Sequence, residues 1–220
     1  MSFLFGVKPE LLPDAATAPG RLEPVLAQPR PHTVLETPIT GPWKDGQKVL
    51  YVAIGCFWGA EKMYWNTDGV ESTSVGYAGG ATPNPTYFEV CRGVTNHTET
   101  VAVTYDPQQI TLRELVVLAL EAHDPTQGFR QGNDVGTQYR SAFYTTGEDA
   151  QAEAAEIREL VQNYGVKLAD AGFGPITTEV LPIAETASGE YYLAEDEHQQ
   201  YLDKNPNGYC PHHSTGVACG

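Results

Sequence analysis

Four cysteines, Cys56, Cys91, Cys210 and Cys219, are the residues of this 220-residue chain best suited to redox or nucleophilic chemistry. Their spacings of 35, 119 and 9 contain no C-x-x-C pair, so neither a zinc ribbon nor a thioredoxin-like motif is present. Cys56 has the most informative address. It follows the apolar run Lys48-Val49-Leu50-Tyr51-Val52-Ala53-Ile54 and Gly55, and it opens the helix-compatible stretch from Phe57 to Trp65. A thiol at the first turn of a helix faces unpaired backbone N–H groups and the positive end of the dipole, which predicts a lowered pKa. A drop from ~8.5 to ~7 raises the thiolate fraction at neutral pH roughly tenfold. The same address suits a small apolar residue packed beside Phe57 and Trp58, and position alone leaves both readings open.

Cys210 and Cys219 stand among Gly, Pro, Asn and Ser, on what reads as mobile loop. Mobile thiols suit resolving chemistry, in which they attack an oxidised sulfur elsewhere and relay the disulfide outward. A zinc site with His212 and His213 is a weaker alternative, because consecutive histidines do not easily ligate one ion. His97-Thr98-Glu99 matches the H-x-E of zinc deaminases but lacks the P-C-x-x-C partner. Glu99 shares a strand face with Val101, Val103 and Tyr105, which predicts burial and a raised pKa, as a proton donor at neutral pH requires. A strand-end carboxylate in water is the alternative.

These residues need a scaffold to position them. Residues 1–46 are dense in proline and lack a sustained period, and they read as an extended arm. Strand, glycine turn and helix follow over 48–65, with further strands expected over Ser72–Ala78, Thr98–Tyr105, Ser141–Thr145 and Thr177–Ile183. Thr111 with Glu114 forms a capping-box signature ahead of an apolar helix to about Ala122, and Thr146-x-x-Asp149 opens a second amphipathic helix. The stretch from His123 to Tyr139 reads as long loop. The order predicts an α/β domain with one sheet over residues 47–204, followed by a tail over 205–220.

Composition sets the outer limits. With 41% apolar and 19% charged residues the chain is in the globular range and long enough to bury a core without metal or disulfides. Its 28 acidic against 13 basic side chains leave −15, which disfavours nucleic acid and anionic membrane surfaces as partners. No run is long enough to span a bilayer, and the opening residues lack a signal sequence's basic region, so a cytoplasmic location is expected.

The motif Gly55-Cys56-Phe57-Trp58-Gly59-Ala60-Glu61 resembles the signature of peptide methionine sulfoxide reductases of the A type. Further blocks resemble that family in order: Gly76-Tyr77-Ala78-Gly79-Gly80, Pro83-Asn84-Pro85-Thr86-Tyr87, His97-Thr98-Glu99, His123-Asp124-Pro125-Thr126-Gln127, Gly132 to Ser141, and Ala194 to Leu202. The resemblance spans about Val49 to Tyr209. It implies a two-layer α+β sandwich around a ferredoxin-like split β-α-β core, with long coil segments and a flexible C-terminal tail. It implies reduction of methionine-S-sulfoxide, free or in oxidised proteins, with Cys56 as nucleophile and Glu99 as the acid for the sulfoxide oxygen. Tyr87 and Tyr139 would hydrogen-bond that oxygen, Asp134 would order the polar side, and Phe57 and Trp58 would wall the substrate methyl.

The same resemblance implies a Cys56 sulfenic acid that Cys210 and then Cys219 resolve, their order left open. A thioredoxin-type protein or another thiol would supply electrons, with no bound cofactor or metal, and the chain would act as a monomer. Cys91 matches no catalytic position and is assigned to structure. A thiol peroxidase or a non-catalytic redox sensor would also use a helix-start cysteine, but neither requires an apolar methyl pocket with Glu99 and two tyrosines beside it.

Overall fold

A computed structural model describes residues 9–209 and 214–219. Apolar alternation builds its core. In β1 (Lys48–Ile54), Leu50, Val52 and Ile54 point to one face, and Tyr51 and Ala53 to the other. In β3 (Thr98–Tyr105), Val101, Val103 and Tyr105 join the first face. That face is covered by helices α1 (Phe57–Trp65), α3 (Leu112–Ala122) and α4 (Ala150–Asp170), whose apolar stripes meet it in one continuous core. Tyr64 Oη donates to Leu115 O at 3.0 Å and ties α1 to α3.

The six-stranded sheet has the order β7-β6-β1-β3-β2-β8, with β2 at Val70–Ala78, β6 at Ser141–Thr145, β7 at Glu179–Pro182 and β8 at Tyr192–Leu193. β3 lies between β1 and β2 and pairs antiparallel with both, while β6 pairs antiparallel with the other edge of β1. Helix α1 joins β1 to β2 and α3 joins β3 to β6, which is the split β-α-β arrangement. β7 adds to β6 in parallel. No helix among the described residues is long and apolar enough to cross a membrane.

The expected strands and helices are present, with β2 two residues longer at its start and β7 shorter. The capping box at Thr111 and Glu114 is formed, and α3 ends at Ala122 as its pattern predicts. Asp149 caps no N–H of α4; its carboxylate instead takes Lys48 Nζ at 3.0 Å, a bond from the neighbouring strand that local sequence does not reveal. Two expectations need correction. A second, two-stranded ribbon, β4 (Arg130–Gln131) and β5 (Asp134–Val135), interrupts the long loop, closed by a glycine turn at Gly132. Two short helices also lie in stretches for which the sequence predicts no element: α2 (Tyr87–Cys91) and α5 (Tyr201–Lys204).

The proline-rich segment wraps over the domain. Leu12 N donates to Asn96 Oδ1 at 2.9 Å, Arg21 pairs with Glu89 at 2.8 Å, and Ser72 Oγ donates to Pro38 O at 2.8 Å. The tail is also placed differently from the loose loop its composition suggests. Thr215 and Val217 bond to Tyr164 Oη of α4, and Cys219 is 8% exposed against the helical core. Val217 and Cys219 are the apolar side chains of this segment, and burying them on α3 and α4 opposes the mobility that its Gly and Ser content would allow.

Candidate active site

Gly55 makes the turn from β1 into α1. Its φ of +98° is open to glycine, and a Cβ there would come within 2.8 Å of Gln131 Cβ. This turn makes Cys56 the N-cap of α1, as the sequence predicts. Its thiol, however, is shifted opposite to the sequence expectation. Burial pushes the Cys56 thiol up and the Glu99 charge adds to that, while the N–H groups of Trp58 and Gly59 pull the other way and Asp134 pushes it further up. The helix start does favour the thiolate, but desolvation and two nearby carboxylates outweigh it.

Glu99 is the larger of those opposing charges, and it is 2% exposed. Its Oε2 accepts the Phe57 N–H at 3.1 Å, so the acid is bound to the first turn of the helix that Cys56 caps. Its Oε1 is buried with no hydrogen-bond partner among the described residues. Burial pushes the Glu99 carboxyl up to about 8, against the pull of the Phe57 N–H and with Asp134 adding to the rise. A neutral, buried carboxylic acid with an uncommitted oxygen is equipped to donate a proton to a bound ligand.

Tyr87 is the first residue of α2, whose capping box joins Thr86 and Glu89. Its backbone N–H donates to Glu195 Oε1 at 2.9 Å, and its ring stacks on Phe57 at 6.5 Å between centroids. Tyr139 ends a short 3-10 turn at Thr137–Tyr139. Burial raises both phenols, and the Glu99 charge is the next cause for each, with Asp134 and Cys56 also acting on Tyr139. Both phenols therefore stay protonated donors near the Glu99 acid; Tyr139 also feels Cys56, whereas the Tyr87 phenol bonds the Cys91 thiol. Asp134 stands on β5 and accepts from Tyr209 Oη at 3.2 Å on each carboxylate oxygen.

The apolar wall is built from more residues than Phe57 and Trp58. Phe57 is buried against Tyr77, Tyr87 and His198. Trp58 stacks on Tyr201 at 3.9 Å between centroids, and its Nε1 donates to Nδ1 of the near-parallel His198 ring at 3.3 Å, 5.8 Å between centroids. Glu195, which holds Tyr87, also accepts from Tyr77 Oη at 3.0 Å. Of these partners, Glu195, His198 and Tyr201 come from the block Ala194 to Leu202. Its mixture of acid, His and aromatic residues was the available signal for them.

The structure thus brings Cys56, Phe57, Trp58, Tyr87, Glu99, Asp134 and Tyr139 to one end of the sheet. Cys210 lies outside the described residues, as do His212 and His213. Cys219 belongs to a different environment: its N–H donates to Glu121 Oε1 at 2.6 Å and its carbonyl accepts from Lys167 at 2.9 Å. Cys91, read as a structural residue, is solvent-exposed at the end of α2. Among the described residues no group of three or more His, Cys, Asp or Glu side chains is arranged to hold a metal ion.

A helix-start cysteine beside a buried carboxyl, phenols and an aromatic wall, on a split β-α-β sheet, is an arrangement suited to an oxidoreductase. Residues 48–218 match the family model described as peptide methionine sulfoxide reductase, and the chain belongs to that family. It is an enzyme that reduces methionine sulfoxide. It is 63% identical to peptide methionine sulfoxide reductase MsrA of Corynebacterium efficiens, over 100% of this chain and 99% of that one. Identity to MsrA of Brucella melitensis is 51%, over 91% of this chain and 88% of that one. Methionine sulfoxide reductase A of Corynebacterium diphtheriae superposes with a TM-score of 0.89 at 62% identity, covering 96% and 99% of the two chains. Mxr1 of Saccharomyces cerevisiae in complex with Trx2 superposes with a TM-score of 0.51 at 25% identity, covering 80% and 95%.

Proposed function

We propose that the enzyme reduces the S epimer of methionine sulfoxide by oxygen transfer to Cys56. The supporting observation is the bond from the Phe57 N–H to a buried, protonated Glu99 whose second oxygen is uncommitted. With both Cys56 and Glu99 protonated at neutral pH, the resting pair carries no buried charge. A sulfoxide oxygen leaves only when protonated. Glu99 gives its proton to that oxygen, Tyr87 and Tyr139 hydrogen-bond it, and the carboxylate so formed takes the thiol proton as sulfur attacks sulfur; the hydroxyl then passes to the Cys56 sulfur as the new S–S bond breaks and methionine leaves. Phe57 and Trp58 pack the substrate methyl, and Asp134 orders the polar side.

The step balances as Cys56 thiol plus methionine sulfoxide giving Cys56 sulfenic acid plus methionine. Cys210 then condenses with the sulfenic acid, releasing water and forming a disulfide. Cys219 attacks that disulfide, regenerates the Cys56 thiol and leaves a Cys210–Cys219 bond. A dithiol protein of the thioredoxin type reduces this bond and becomes the disulfide, a role in keeping with the yeast Mxr1 complex with Trx2. No bound cofactor is called on, and the enzyme acts as a cytoplasmic monomer repairing free or protein-bound methionine.

The deciding experiment is dithiothreitol-supported reduction of separated S and R sulfoxide peptides by wild type, Cys56→Ser and Glu99→Gln. Turnover of the S epimer alone, absent in Cys56→Ser, is the expected result. Consumption of hydrogen peroxide with neither epimer reduced would replace this reading with a thiol peroxidase.

A further inference from the structure

The arm lies before residue 48, where the family match begins, yet one of its side chains reaches the catalytic helix. His32 is 1% exposed. Its Nδ1 accepts the N–H groups of Val34 and Leu35, both at 3.1 Å, so the ring proton must sit on Nε2. Nε2–H therefore donates to Thr73 Oγ1 at 2.8 Å. That leaves the Thr73 hydroxyl proton for Glu61 Oε1, at 3.2 Å. Each link has one direction, from the arm through β2 to the buried carboxylate of α1. The His32 ring also meets Trp65, the last residue of α1, edge to face at 5.6 Å.

Glu61 passes this order on. Besides Thr73 it accepts the Gln200 N–H at 2.9 Å on Oε2 and Gln200 Nε2 at 2.8 Å on Oε1. Gln200 has φ 46° and ψ 45°, a left-handed conformation that is strained for an L-residue, and its bonds to Glu61 offset that strain. The turn at Gln200 separates His198, which accepts the Trp58 indole N–H, from Tyr201, which stacks on its face. Burial pushes the Glu61 carboxyl up to about 7 against the pull of these donors, so losing one donor favours a protonated Glu61 with one fewer acceptor for Gln200.

We propose that the proline-rich arm is a working part of the substrate pocket, and that His32 is a positioning residue acting through Thr73, Glu61 and Gln200 on the stacked Trp58. This rests on the assignment of Cys56 and Trp58 to the active site. The test uses the full chain with an S-sulfoxide peptide, comparing His32→Ala, Thr73→Val, the double variant and His32→Gln. Thr73→Val keeps the side-chain shape, so it reports on the relay even if His32→Ala fails to fold.

Thr73→Val and a folded His32→Ala lower kcat/KM about 5- to 10-fold, chiefly by raising KM. His32→Gln, which keeps a donor near Thr73, stays within about twofold of wild type. The double variant is no worse than the poorer single, because both cut one chain. Thr73→Val activity within twofold of wild type, losses that multiply in the double variant, or a fall in melting temperature with no change in KM would overturn the proposal while leaving the site assignment intact. Activity retained by Cys56→Ser would overturn both.

Discussion

Cys56 and Cys219 are both shielded thiols, but they are held by opposite means. Cys56 caps a helix fixed between the sheet and α3, under a buried acid bound to the next residue's N–H. Cys219 ends a segment attached to α3 and α4 by bonds through Tyr164, Glu121 and Lys167. Bonds of this kind contribute about 0.5–1.5 kcal/mol each, so the segment can be released at a cost of a few kcal/mol. The first environment suits chemistry that needs fixed geometry and a supply of protons. The second suits a thiol that must travel, since the charges facing Cys219, Glu121, Lys167 and Arg113, include neither Glu99 nor Asp134.

The largest test of this contrast removes the fixed thiol. Cys56→Ser is expected to lower single-turnover methionine formation at least ~10³-fold, since a serine hydroxyl cannot take oxygen from sulfur as a thiol does. Cys219→Ser should leave that first turnover unchanged and act only on recycling by a protein dithiol. Equal losses in the two variants, measured by quenched single-turnover assay, would erase the distinction.

Glu99→Gln comes next, with an expected ~10²-fold loss in kcat for an absent general acid. Because Glu99 titrates near 8, wild-type activity in saturating dithiothreitol should fall as pH rises through about 8, and the variant should lack that limb. The stability effect has a defined sign. A carboxyl raised from 4.5 to about 8 in the fold binds its proton more tightly there than in the unfolded chain. Its contribution is fully present below 4.5 and is lost as pH climbs to about 8, at up to ~1.4 kcal/mol per pH unit. Glu99→Gln removes this dependence, so melting at pH 5 and pH 9 should differ less in the variant than in wild type.

The catalytic end of the sheet was far more legible in sequence than the docked tail. The run from Lys48 to Ile54, Gly55 and the helix after it are set by local pattern, and the alternation of Glu99 with Val101, Val103 and Tyr105 anticipated its burial. The Thr86-x-x-Glu89 box of α2 was readable but sits inside a loop-like stretch only five residues from its helical end. What local pattern does not carry is net electrostatics. The helix start argued for a lowered Cys56 pKa, and only the fold buries the thiol, with Glu99 and Asp134 nearby, so that desolvation first and those carboxylates second reverse it. The contacts of Glu195, His198 and Tyr201 depend on a long-range return of the chain to α1, and the docking of Cys219 escaped the sequence because its partners Glu121 and Lys167 lie 98 and 52 residues away.

Tyr209 and Tyr164 mark the two ends of the tail and give the smallest effects. Tyr209 Oη bonds Asp134 on the acid side of the site, whereas Tyr164 Oη bonds Thr215 and Val217 beside Cys219. Tyr209→Phe should leave the first turnover unchanged and slow formation of the first disulfide about 2- to 10-fold, the rate equivalent of one such hydrogen bond. Tyr164→Phe, which removes two such bonds, should lower stability by about 1–3 kcal/mol and loosen the segment carrying Cys219. If undocking limits recycling, a looser segment accelerates it: turnover supported by a protein dithiol rises about twofold, while turnover supported by dithiothreitol, which reaches the first disulfide directly, stays constant. A fall in both would mean that the docked position of Cys219 is the one that reacts, and the contrast between a fixed and a travelling thiol would give way to two fixed ones.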